Sequence, residues 1–172
     1  MTGEAGIVVD VRDQIGKINR HIYGHFIEHL GRCIYGGVWV GEDSKIPNLC
    51  GLRKDVLEVV KEICPPIIRW PGGNFASGYH WEDGVGPREK RPVKYDLAWE
   101  AEEPNQFGTD EFIAFCREVG AEPYICVNVG SGTPEEAAHW VEYCNRRGNS
   151  LYASKRVENG HPEPFNVKYW GI

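Results

Sequence analysis

The sequence predicts an α/β fold on a parallel sheet, and three observations carry that prediction. Short apolar runs alternate with segments of helical spacing, the pattern of βαβ units. Glycine and proline punctuate the joins between them. Polar and glycine-rich residues gather just after each apolar run, at the end of a parallel sheet where sites form. Apart from a short strand at the start, four barrel-type strands with three helices between them can be counted. At 172 residues the chain has the length of one domain. That is too short for a complete (β/α)8 barrel, which takes about 250 residues.

In chain order, residues 7–11 alternate as a short strand, and residues 21–28 form a second strand candidate ending in polar side chains. Residues 32–51 are rich in Gly and turn formers and read as a loop. Over 52–64, Leu52, Val56, Leu57, Val60 and Ile63 recur with helical spacing until Pro65-Pro66 stops them. Residues 67–70 form a short buried strand that runs into Pro71-Gly72-Gly73-Asn74. A long polar loop is expected from 75 to 107. Thr109 is placed as the cap of a helix over 110–119, with Gly120 as its C′ residue.

The clearest buried strand covers 123–129, and Gly130-Ser131-Gly132 is a strand–helix turn. Thr133-Pro134-Glu135-Glu136 is a helix start, with a threonine cap, proline at the first helical position and acids in the first turn. That helix runs to about residue 146. A polar stretch follows, then an apolar, aromatic strand from Val167 to Ile172. A parallel strand there leaves an open edge and an uncovered apolar face. The expectation is half of a larger α/β unit, completed by further polypeptide.

Composition narrows the function classes. Nineteen Lys+Arg stand against 25 Asp+Glu, for a formal charge of −6, with 41% hydrophobic and 26% charged residues. That is an ordinary globular balance, which excludes long disorder, collagen and coiled coil. The acidic sum and the lack of a basic run argue against nucleic acid as a partner. No signal-peptide pattern and no apolar run of about 20 residues is found, so neither export nor a membrane is expected. The cysteines at 33, 50, 64, 116, 126 and 144 form no CxxC pair and are expected to be buried free thiols. With no Asn-x-Ser/Thr site, the expected compartment is the cytoplasm.

Several constellations could carry chemistry. His21, His25 and His29 are four apart, a zinc spacing only on a helix. Gly24 and the apolar residues between them favour structural histidines, and no metal site is assigned. Glu28, with His29, ends the strand candidate over 21–28 and is either a general base or sugar ligand, or one of a surface pair. Arg69 emerges from an apolar run and would do best against a carboxylate. Gly72 and Gly73 allow close approach, and Asn74 can bond a hydroxyl. The alternative is a tight turn with a structural salt bridge. Tyr79, Trp81 and Trp99 either stack on sugar rings or pack the long loop. No phosphate loop, nucleophile elbow or cofactor motif is present.

Together these blocks resemble a known family. His21 to Gly31, Arg69 to Phe75, Trp81 to Pro87, Arg91-Pro92, Asp96 to Trp99, Asn105 to Gly108 and Tyr143-Cys144-Asn145 are similar, in order, to motifs of family 51 glycoside hydrolases. These are the intracellular α-L-arabinofuranosidases. The resemblance runs over residues 7–172. It implies a (β/α)8 TIM barrel followed by a β-sandwich, with residues 1–18 as an N-terminal strand segment packing on the sandwich and 19–172 as the N-terminal half of the barrel. It implies a retaining exo-hydrolase of terminal α-L-arabinofuranosyl groups in arabinan and arabinoxylan oligosaccharides. Glu28 and Asn74 match positions that bind arabinose hydroxyls, Arg69 an arginine near the catalytic carboxylates, and Trp99 a loop tryptophan that stacks on the aglycone side.

In the family a stretch like 167–172 continues into Gly-Asn-Glu, which carries the acid/base, and the nucleophile follows the seventh strand. Both are expected beyond Ile172, so no catalytic residue is assigned among these residues. Retaining chemistry needs two carboxyl groups about 5–5.5 Å apart. The chain alone is therefore expected to be inactive and to need a complementary C-terminal polypeptide. The resemblance also implies a higher homo-oligomer, a hexamer. Two alternatives are a non-catalytic half-barrel that binds sugar through Glu28 and Asn74 or only oligomerises, and a different hydrolase of the same clan.

Overall fold

A computed structural model describes residues 3–172. A 3-10 turn over Arg20–Tyr23 leads into β1 (His25–Phe26), followed by the single helical turn α1 (Gly31–Ile34). β2 (Asn48–Leu49) and β3 (Leu52–Arg53) form a small hairpin ahead of α2 (Lys54–Ile63) and β4 (Ile67–Trp70). Three 3-10 turns, Asn74–Ser77, Trp81–Gly84 and Arg88–Lys90, precede a second hairpin of β5 (Lys94–Asp96) and β6 (Ala101–Glu103). Then follow α3 (Thr109–Val119), β7 (Glu122–Cys126), α4 (Pro134–Asn145), α5 (Leu151–Glu158) and β8 (Tyr169–Gly171).

β1, β4, β7 and β8 lie side by side in sequence order, all parallel. This is the first half of a (β/α)8 barrel, and it is not closed. Phe26, Arg69, Tyr124 and Tyr169 share one register row on the inner face. Ile68, Trp70 and Ile125 point the other way and are buried under the helices. Trp70 stacks on Phe112 at 5.0 Å, and Trp81 lies parallel to Trp140 at 6.0 Å. Such aromatic pairs add about 0.5–1.5 kcal/mol each beyond the area they bury.

Local chemistry explains the element ends. Thr133 Oγ1 accepts from the Glu136 N–H at 3.1 Å, and Pro134 opens α4, as the sequence predicts. Gly120 adopts φ +72° and closes α3. α2 ends at Cys64, which is left-handed at φ +53° before the two prolines.

Several expectations are corrected. Residues 7–11 pair with no strand among the described residues, and Ile7, Val8, Val9 and Val11 lie open to solvent. An alternating pattern needs a neighbouring strand before it becomes one. The strand over 21–28 shrinks to two residues, because Asn19 Oδ1 accepts from the His21 N–H and winds 20–23 into a 3-10 turn. The strand expected from Val167 to Ile172 shrinks to Tyr169–Gly171. Val167 is drawn out of it by Asn145, whose Oδ1 accepts from its N–H at 2.7 Å and whose Nδ2 donates to its carbonyl at 2.8 Å. Ile172 lies past the last paired residue and is exposed rather than buried in the sheet.

The expected loops at 32–51 and 75–107 hold hairpins and helical turns. Thr109 is inside α3 rather than capping it: Glu111 Oε2 accepts from the Gly108 N–H at 2.8 Å, while Thr109 Oγ1 accepts from Trp140 Nε1. The polar stretch after α4 contains α5, so the helices outnumber the three expected. Of the thiols, Cys116, Cys126 and Cys144 are buried, but Cys50 and Cys64 are exposed.

Candidate functional site

The site lies at the C-terminal ends of β1, β4 and β7. Glu28 follows β1 by two residues and is half-buried. Its Oε1 accepts from the Phe75 N–H at 3.1 Å. The two glycines after β4 make room for this carboxylate. A Cβ on Gly73 would stand 2.7 Å from Glu28 Oε1, and one on Gly72 3.1 Å from the same atom. The sequence marks Gly72 and Gly73 for close approach, and the group they admit is Glu28.

Arg69 rises from β4 beside it. Its guanidinium sits 4.2 Å over the Phe26 ring, and Nη1 reaches Cys126 Sγ at 3.9 Å. The structural salt bridge considered for this arginine is not formed among the described residues. Burial pushes the Cys126 thiol up, and Arg69 pulls it back in part. Asn74 is exposed and opens the 3-10 turn that carries Phe75. Trp99 is 44% exposed in the turn between β5 and β6, with its N–H bonded to Asp96 Oδ1 at 2.8 Å. Glu28, Arg69 and Asn74 thus share the strand ends, and Trp99 stands apart on the hairpin. Tyr79 and Trp81 are fully packed in the core and offer no face to a sugar.

The second arm of this hairpin is tied to the site by a buried cluster that sequence reasoning missed. His29 is 1% exposed. Its Nδ1 accepts from Trp70 Nε1 at 3.2 Å. An indole N–H only donates, so the His29 proton is on Nε2. Nε2 faces Glu103 Oε2 at 3.1 Å and Tyr35 Oη at 3.2 Å. Glu103 Oε1 accepts from the Tyr35 hydroxyl and from the Asn105 N–H at 2.8 Å. Burial, and then the Glu103 charge, push the Tyr35 phenol well above its ordinary range. His29 also stacks on Phe75 at 4.5 Å, the residue whose N–H holds Glu28. No local pattern could have paired His29 with Glu103, because they are 74 positions apart.

At the third strand end, Asn128 is buried. Its Oδ1 accepts from the Gly130 and Ser131 N–H groups, both at 3.0 Å, and its Nδ2 donates to Tyr79 O at 3.1 Å. This fixes the strand–helix turn predicted at 130–132. At the fourth, Gly171 and Ile172 bring no ionisable side chain to the site. His21 packs edge-on against Tyr169, and His25 is exposed. The three histidines do not converge on one point. Among the described residues no helix is long and apolar enough to cross a membrane.

This geometry has close parallels. The Alpha-L-arabinofuranosidase 1 domain model matches residues 59–172. An Alpha-L-arabinofuranosidase C of Emericella nidulans is 52% identical over 97% of this chain and 33% of that protein. An intracellular exo-alpha-L-arabinofuranosidase of Bacteroides ovatus is 47% identical over 100% of this chain and 34% of its own length. Among solved structures, the arabinose complex of the Thermotoga maritima alpha-L-arabinofuranosidase superposes with TM-score 0.85 at 65% identity, covering 89% of this chain and 32% of that one. The GH51 arabinofuranosidase of Xanthomonas axonopodis gives TM-score 0.91 at 48% identity, over 94% and 33%. The chain spans about a third of the length of the curated relatives it matches. With the strand order, the glycine-lined carboxylate and these likenesses in agreement, the chain belongs to the family 51 α-L-arabinofuranosidases and corresponds to the N-terminal part of their barrel.

Proposed function

We propose that this chain supplies the N-terminal half of the catalytic barrel of a retaining exo-α-L-arabinofuranosidase. The substrate class is terminal α-L-arabinofuranosyl groups on arabinan or arabinoxylan oligosaccharides. The observation that carries the reading is the Glu28 carboxylate, oriented by the Phe75 N–H and given its place by Gly72 and Gly73. A fixed carboxylate accepts hydrogen bonds from adjacent sugar hydroxyls with little reorganisation. Asn74 adds a donor and an acceptor beside it. Arg69 offers its guanidinium to an incoming carboxylate. Trp99 presents an indole face for the aglycone.

The two catalytic carboxylates come from polypeptide beyond Ile172, and one sugar-binding glutamate cannot take both roles. The partner is therefore the complementary C-terminal part, whose sandwich also receives residues 1–18. A cytoplasmic location and a hexameric assembly complete the proposal.

The test is turnover of an aryl α-L-arabinofuranoside. The pure chain should give none, and the chain joined to the complementary polypeptide should give activity that Glu28→Ala reduces at least a hundredfold. Turnover by the pure chain that scales with its concentration and vanishes in Glu28→Ala would overturn the assignment.

A further inference from the structure

Tyr124 belongs to none of the motifs above, yet the sheet register brings it under the site. It shares the inner register row with Phe26, Arg69 and Tyr169. Pairing continues past the strand ends: the His29 N–H donates to Pro71 O at 2.7 Å, and the Val127 N–H to Gly171 O at 2.9 Å. Two residues on, the next inner layer is therefore Glu28, Pro71, Cys126 and Gly171. Strand side chains lean along the strand. The Tyr124 ring leans upward, and its Oη stands 2.6 Å from where a Cβ on Gly171 would be. The absent side chain at Gly171 is what lets the phenol reach the layer of Glu28.

The side chain is half-buried. The polar contacts of this face run from Arg69 Nη1 to Cys126 Sγ, and none reaches the Tyr124 hydroxyl among the described residues. A half-buried tyrosine usually finds a partner for its O–H. Gly171 closes β8 and Glu28 follows β1, so the hydroxyl reaches the layer of strand ends that also holds the Glu28 carboxylate. The function proposed above puts the sugar over that layer.

We infer that Tyr124 is a further substrate-binding residue. Its hydroxyl bonds one hydroxyl of the bound arabinose from the floor of the site, opposite the contacts made by Glu28 and Asn74. This inference rests on that functional reading. It also makes Gly171 a specificity position, because any side chain there would displace the phenol.

The experiment titrates L-arabinose into the chain joined to its complementary polypeptide, followed by NMR, for the wild type, Tyr124→Phe and Gly171→Ala. The same titration is run with monodeoxy-L-arabinoses. Loss of one neutral hydrogen bond should raise the Kd about fivefold in Tyr124→Phe. Gly171→Ala, which keeps the hydroxyl but moves it, should do the same. One deoxy sugar should bind the wild type and Tyr124→Phe equally, which a merely structural role would not produce. Equal arabinose binding by the wild type and Tyr124→Phe overturns this inference alone, as does a loss that is uniform across every deoxy sugar. A wild-type assembly that does not bind arabinose overturns the functional reading and this inference with it.

Discussion

A methyl group at position 73 would stand 2.7 Å from Glu28 Oε1, closer than real Cβ atoms come to oxygen. The atom it meets ends a flexible side chain, so the carboxylate would give way and the backbone would not. Gly73→Ala should leave the far-UV circular dichroism and unfolding midpoint unchanged while raising the Kd for L-arabinose about tenfold, the scale of one charge-assisted hydrogen bond. Unchanged arabinose affinity in this variant would mean that Glu28 does not hold the sugar.

Asp110 is a second case where one group's surroundings decide its behaviour. Burial raises its carboxyl to about 6, against the His161 charge and the Tyr143 hydroxyl, which both lower it. Its oxygens accept from Tyr143 at 2.8 and 3.0 Å, and His161 Nε2 lies 3.7 Å away. A carboxyl whose folded pKa is raised holds its proton more tightly when folded. Its stabilisation is complete below the unfolded value of 3.8 and is lost as pH rises through about 6. Between pH 7 and pH 5 the wild type should therefore gain urea stability relative to Asp110→Asn. A parallel pH response in the two proteins would refute this.

At the level of elements, what the sequence disclosed was what chemistry decides within a few residues. The Thr133-Pro134 start of α4 is such a case, and Thr133→Ala should cost about 1 kcal/mol in urea unfolding. The Gly120 stop of α3 is another. Thr109 looked the same by composition, but its hydroxyl is taken by Trp140, 31 positions away, and the capping falls to Glu111. α5 escaped notice because one of its two buried residues is Arg156. That guanidinium donates to the carbonyls of Tyr143 at 2.6 Å and His161 at 3.1 Å, so a polar letter fills a core position. The same limit held at the site. Glu28, Gly72, Gly73 and Asn74 were visible because they follow strands closely, and Arg69 because it breaks the apolar run of β4. Glu103, Tyr35 and Tyr124 were not, because their significance depends on which strand lies beside which.

At the scale of the molecule, the inner face of four strands is open, and among the described residues β1 and β8 each present an unpaired edge. Phe26, Val129 and Ile172 are exposed at or just past strand ends, and the apolar residues of 7–11 are exposed as well. Open strand edges and exposed large apolar side chains mark places where more protein packs. The chain alone should bind a hydrophobic dye such as ANS, and joining it to the complementary polypeptide should abolish most of that signal. Dye binding unaffected by the added polypeptide would count against the half-barrel assignment.

The buried bond from His29 to Glu103 reaches further than the two side chains it joins. It fastens the hairpin of β5 and β6 to the residue next to Glu28, through a histidine that also grips Trp70. Neither end can be released without stranding a buried polar group at the other. The hairpin and residues 28–35 should consequently open as one cooperative unit in native-state amide exchange, with matched free energies of protection. The Trp99 turn and the Glu28 carboxylate would then be ordered or released in a single event, and the chain would have no state in which one is placed without the other.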